Sequence, residues 1–207
     1  MRMPIDNFDQ IRGMLDFSIP GTFYFLQILK RRKDNPELGK DMVHIADYYI
    51  DSLAKYDDLK PMIIRQCDAE NARAYFRLNR RDEKRVASEA LKLMVEYVVS
   101  ENYKPARSVY ASCAGKYHSE KNKTWIVDLD WKDIPHGFTK DIYIDSVIFS
   151  IESITKSYKP DAPQNIVKIQ TMNGMHLIVS PFRLDEFEKH FPGIDVHKDN
   201  PLALYFP

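Results

Sequence analysis

The sequence predicts an α+β protein whose second half builds a split βαβ sheet behind a mostly helical or mixed N-terminal segment. Three observations carry that prediction. Trp125-Ile-Val-Asp-Leu-Asp130 alternates like a strand, and Ile144, Val147, Ile148, Ile151 and Ile154 repeat at helical spacing. Asn173-Gly174 then joins two apolar runs, Asn165 to Gln170 and Met175 to Val179, as a hairpin turn does. With a short helix over Arg183 to Phe191 and an extended tail ending at Pro207, the order is β-α-β-β-α-β, helices on one face.

Ahead of that core the reading is coarser. Phe23 to Leu29, followed by Lys30-Arg31-Arg32-Lys33 and closed by Asn35-Pro36, reads as a helix with a basic last turn. Met42 to Tyr56 reads as a second helical or mixed segment. Met62 to Arg65 and Ala72 to Leu78 are strand-like runs. From Asp82 to Ser100, Val86, Ala90, Leu93, Met94 and Tyr97 mark one face of an amphipathic helix, which Asn102 and Pro105 end. A short helix is expected between Arg107 and Gly115, and Pro160 and Pro163 close the helix after Asp130. The expected division is 1–60, mostly helical, and 61–207, an α+β domain.

At 207 residues the chain can bury a full core. Its formal net charge is zero, so a nucleic-acid contact would need a local basic patch. Cys67 and Cys113 have no metal-ligand spacing, and such sparing use fits a reducing compartment. Met1 to Ile19 mixes Asp6, Asp9, Arg12 and Asp16 among apolar residues, unlike a signal peptide. No apolar run approaches the roughly 20 residues that span a bilayer. A cytoplasmic protein without a membrane partner is expected.

Chemistry concentrates at the end of the Trp125 strand. Asp128 and Asp130, one residue apart, point to the same face while Leu129 packs inward. Two neighbouring carboxylates resist burial unless a cation sits between them, and hard oxygen ligands suit Mg²⁺ or Mn²⁺. Such a pair also arises by chance in an acid-rich chain, or caps a turn. His176 follows the Asn173-Gly174 turn, where a histidine can donate to a phosphate, move a proton or face solvent. Gly174 is the residue that would let backbone approach a ligand closely. His44, His118, His136, His190 and His197 are scattered, and no P-loop, Rossmann or His-Glu-x-x-His pattern occurs.

These residues, in this order, resemble the archaeo-eukaryotic primase superfamily of primases and primase-polymerases. Its first motif matches Ile126-Val127-Asp128-Leu129-Asp130 and its second Gly174-Met175-His176. Its third, an apolar residue then an acid, matches Ile194-Asp195, with Lys198-Asp199 as a rival. The resemblance covers about Lys123 to Pro207 and extends less clearly back through Arg73 to Ser100. It implies an RRM-like catalytic module within 61–207. The Asn-Gly turn departs from the serine- and glycine-rich turn common in primases. The chain also carries no zinc-binding cysteine cluster or attached helicase, and it ends soon after the third motif, where many relatives carry primer- and template-handling segments.

What the resemblance implies is metal-dependent nucleotidyl transfer. Asp128, Asp130 and Asp195 would hold two Mg²⁺ or Mn²⁺ ions about 4 Å apart. His176 would contact the incoming nucleotide, with Lys168 and Arg183 as phosphate partners or plain surface charges. Partners would be nucleoside triphosphates, single-stranded DNA or a primer-template, and a separate helicase or replication protein. Strand binding needs basic and aromatic surface. Candidates are Lys30 to Lys33 beside Tyr24, and Arg73, Arg77, Arg80 and Arg81 beside Tyr75 and Phe76, with Arg73, Tyr75 and Arg77 outward on one strand face. The alternatives are a metal-dependent nuclease using the same acids, and a catalytically degenerate primase-like domain of a phage or mobile element that binds nucleic acid or protein. In a purely structural reading, Asp128 and Asp130 pair with Lys or Arg across the sheet.

Overall fold

The computed structural model describes residues 4–118, 123–161 and 164–207. In chain order the first elements are β1 (Ile5–Asp6), α1 (Phe8–Arg12), β2 (Thr22–Arg31), β3 (Met42–Ile50), α2 (Leu53–Glu70) and β4 (Arg73–Asp82). Then come α3 (Glu83–Val99), α4 (Tyr103–Ala106), α5 (Val109–Lys116), β5 (Trp125–Asp130) and α6 (Lys140–Tyr158). The chain closes with β6 (Val167–Gln170), β7 (Gly174–Val179), α7 (Leu184–His190), β8 (Asp195–His197) and β9 (Leu202–Phe206). The mixed α+β class holds. No helix among the described residues is long and apolar enough to cross a membrane.

Two compact units divide the chain: Met1–Lys121 with Ala203–Pro207, and Asn122–Leu202. The first is built on a sheet of order β1-β9-β4-β2-β3. Its inner strand β2 pairs antiparallel with β3 and β4 and alternates two apolar faces. Tyr24 stacks on Phe76, which meets Tyr56 of α2, and Ile63 and Cys67 of that helix are also buried. On the other face, Phe23 and Phe25 pack with Val86 and Ala90 of α3 and Val109, Cys113 and Ala114 of α5. Each fully buried large side chain contributes about 1.5–3 kcal/mol.

Several expectations fail in this unit. Phe23 to Leu29 is strand, not helix. A run buried on both sheet faces is continuously apolar, and its basic end is where β2 leaves the sheet rather than a helix terminus. Met42 to Ile50 is likewise strand, and the helix begins only after Ser52, whose side chain accepts from the Lys55 N–H. Met62 to Arg65 lies inside α2. Three apolar residues after Pro61 cannot distinguish strand from helix, whereas buried Tyr56, Ile63 and Cys67 share a helical face. Residues 1–60 are therefore not mostly helical.

The second unit forms a sheet of order β6-β7-β5-β8 in which every paired neighbour is antiparallel. Val127 and Leu129 of β5 and Leu177 and Val179 of β7 face one way. They pack on Tyr143, Ile144, Val147 and Ile151 of α6 and Phe187 of α7. Helix α6 starts at Thr139, whose side chain accepts from Ile142 N–H, and ends before Pro160; Pro163 lies outside the described residues. The expected closing strand of this sheet was the C-terminal tail. The tail does form a strand, β9, but it joins the first unit's sheet between β1 and β4. The closing strand is instead β8, three residues too short to show alternation.

Candidate active site

Strand pairing brings the predicted acids and histidine into one row. Asp128 stands directly opposite His176 of β7 on one side and directly opposite Asp195 of β8 on the other. Directly opposed side chains in antiparallel strands share a face, with Cβ atoms about 4.5–5.5 Å apart. Asp130 is two residues along β5 and so on that same face, while Leu129 is buried on the helix side. Asp195 is the acid in register with Asp128; Asp199 lies beyond β8.

Two like charges directly opposite one another are unfavourable unless compensated. The compensation here is partial. His176 Nε2 lies 3.4 Å from Asp128 Oδ1. Burial pushes the Asp128 carboxyl up, but the His176 hydrogen bond and charge, with His197 and Lys132 behind them, hold it below its ordinary value. Lys132 Nζ reaches Asp130 at 3.1 Å, and that contact raises the lysine. His176 Nδ1 is buried without a hydrogen-bond partner, which leaves an imidazole with unspent capacity inside the row. His197 was not foreseen as part of this group. It stands opposite Ile126 on the Asp128 face, and its position two residues after Asp195 was the available signal.

Gly174 serves a different purpose from the one expected. A Cβ there would meet the Leu129 carbonyl oxygen at 2.0 Å and Asp130 Cα at 3.2 Å, so the residue admits the neighbouring strand rather than a ligand. Its strand position is reinforced by the Trp131 N–H, which donates to the Asn173 carbonyl at 2.9 Å. The close approach sets the spacing between the acids of β5 and the histidine of β7.

The remaining predicted residues lie elsewhere. Lys168 is in register with Leu177, hence on the helix-covered face rather than beside His176, and it pairs with Asp145 at 3.6 Å. Arg183 precedes α7 and is engaged by Asp185 and, at 3.2 Å, by Glu186. Arg73 is buried rather than outward: it forms a two-pronged pair with Asp34 and lies over the Phe206 ring. Arg81 is fully buried and donates to the carbonyls of Ala114 and Asn79. Arg80 is bound to Asp16 at 2.9 Å, and Arg77 is half-buried. Arginines this enclosed tie the first unit together and offer little to a nucleic acid.

The donor chemistry of the row suits a hard divalent cation, since three carboxylates share one face. Among the described residues, however, no three His, Cys, Asp or Glu side chains are gathered as a bound ion would need. Comparisons with protein-family models, curated proteins and solved structures return no match.

Proposed function

We propose that this chain is a metal-dependent nucleotidyltransferase resembling small primases and primase-polymerases, with the second unit as an RRM-like catalytic module. The observation that carries the reading is the row His176–Asp128–Asp195, with Asp130 beside it. Support also comes from topology. The first and third strands of a β-α-β-β-α-β unit lie at the centre of the sheet, as in the split βαβ arrangement.

In this reading Asp128, Asp130 and Asp195 hold Mg²⁺ or Mn²⁺. The cation supplies charge neutralisation at the phosphates and lowers the pKa of an attacking 3′-hydroxyl. The protein's own groups do the placing. His176 steadies Asp128 through Nε2, and a phosphate oxygen of the incoming nucleotide can take over that donor. Lys132 brings positive charge to the Asp130 end of the row. Lys168 has no part at this face, and the Arg183 guanidinium is already engaged by acids.

One observation favours a second reading, a degenerate domain that binds nucleic acid or a protein without turnover: the potential ligands are not gathered around a point. Calorimetry with Mn²⁺, with and without a nucleoside triphosphate, separates the two. The enzyme reading expects nucleotide-enhanced Mn²⁺ binding that Asp128→Ala removes, and incorporation on a primed template that falls at least ~100-fold in the variant. Because the substitution removes one of two opposed carboxylates, the variant should fold normally. Absence of Mn²⁺ binding and incorporation in the unmodified chain would leave the degenerate domain. Strand cleavage without incorporation would identify a nuclease.

A further inference from the structure

The first unit contains a basic cleft with no role in the row just described. Arg31, Arg32, Lys33, Pro36 and Asp41 line a cleft of about 690 Å³ at the end of the β2–β3 hairpin. Between Lys30 and Asp41 the sequence places five cations against three acids, in a chain of zero net charge. The acids are partly committed. Asp34 is held by buried Arg73, and Glu37 reaches Lys30 only at 3.9 Å. Asp41 is almost wholly exposed and meets Arg32 at 3.5 Å, a contact worth little in water.

The loop that carries these cations is already ordered. Buried Asn35 donates from its side chain to the Arg31 and Asn71 carbonyls at 3.1 and 3.0 Å. Asn71 returns side-chain donors to the Asp34 carbonyl and to Asn35 Oδ1 at 3.0 and 3.2 Å. Asn71 itself adopts a left-handed conformation, φ 46°, as the C-cap of α2, so the basic loop is fastened to a helix end. Arg31 is steadied by a 3.2 Å contact from Nη1 to the Tyr75 hydroxyl. A ligand meeting this loop loses less free energy to ordering than one meeting a mobile hairpin.

We propose that this cleft binds the sugar–phosphate backbone of a single nucleic-acid strand. Consecutive cations spread along an open cleft match repeating phosphates better than a single phosphate, which calls for donors converging on one point. Guanidinium groups make forked contacts to phosphate. Pro36 adds a rigid apolar wall to the cleft, against which a sugar or base can rest. The inference stands on the first unit alone and is independent of nucleotidyl transfer.

The test is fluorescence anisotropy of a labelled single-stranded oligonucleotide of mixed sequence, with the full chain in EDTA at about 50 mM salt. Charge reversal in R32E/K33E should weaken binding about tenfold or more and reduce the salt slope by about 1–2, with melting unchanged. Asp41→Asn, which removes the opposing carboxylate, should tighten binding about twofold. EDTA removes divalent cations, which keeps failure here distinct from failure at the row of acids. Equal affinity in a normally melting R32E/K33E would overturn the proposal. So would displacement of the strand by polyglutamate as readily as by unlabelled DNA at equal charge.

Discussion

Gly174 has no room for a side chain, because an added Cβ would sit 2.0 Å from a backbone oxygen that cannot swing away. Gly174→Ala should therefore force β5 and β7 apart and cost about 1–3 kcal/mol or more, measured by denaturant unfolding. Gly39, with nothing within 4 Å of its notional Cβ, is the control, and Gly39→Ala should stay within about 0.5 kcal/mol. If both substitutions were equally mild, the strand contact would be more adaptable than its geometry indicates. At this scale the sequence was clear about residue type and silent about purpose. An Asn-Gly pair announces a hairpin, but the reason glycine is required lies on a strand more than forty residues earlier. The buried arginines teach the same lesson, since Arg73 and Arg81 read as surface cations until their partners Asp34 and Ala114 are in place.

Among the elements, β9 carries disproportionate weight. All five of its residues are buried, and it lies between β1 and β4. The Asn7 side chain donates to the Ala203 carbonyl at 2.9 Å and the Asn7 backbone N–H to that of Leu204. Tyr205 hydroxyl meets Asp68 of α2 at 2.9 Å. Truncation after Pro201 removes the apolar contribution of Leu202, Leu204, Tyr205 and Phe206, about 1.5–3 kcal/mol each, comparable with a domain's whole stability. The truncated chain should lose cooperative melting of the first unit, read by near-ultraviolet circular dichroism. Retention of that transition would show that β1 and β4 manage without the strand between them. Helices α3 and α6 were legible because their apolar residues recur at helical spacing. Strand β2 was not, since a two-faced strand and a buried helix share one continuous apolar signature, and neither was β3, an edge strand whose mixed polar and apolar residues are mostly half-buried and show no clean alternation.

At the scale of the molecule, the first unit is built from both ends of the chain and the second is an insertion within it. The sheet that β9 completes thus depends on contacts between residues about 200 positions apart, the kind that form late in folding. Replacing residues 122–202 with a flexible linker should give a chain that still melts cooperatively and keeps the first unit's far-ultraviolet spectrum. Cutting the chain at Lys121 should not. If the excised chain failed to fold while the full chain did, the first unit would require the second for stability and not merely for connection.

By itself the sequence determined the mixed α+β class, the order of strands and helices from Trp125 to His190, and the placing of Asp128 and Asp130 on one strand face, with Asp195 and Asp199 left as alternatives for a third acid. Each rests on local periodicity or on residue type at short spacing, which the chain carries wherever it folds. Only the tertiary structure decided that Asp195 stands opposite Asp128, that the tail belongs to the other sheet, and that Lys168 faces away from the histidine. Register and sheet membership are set by hydrogen bonds between segments distant in sequence, and moving a strand by one residue turns every side chain to the opposite face.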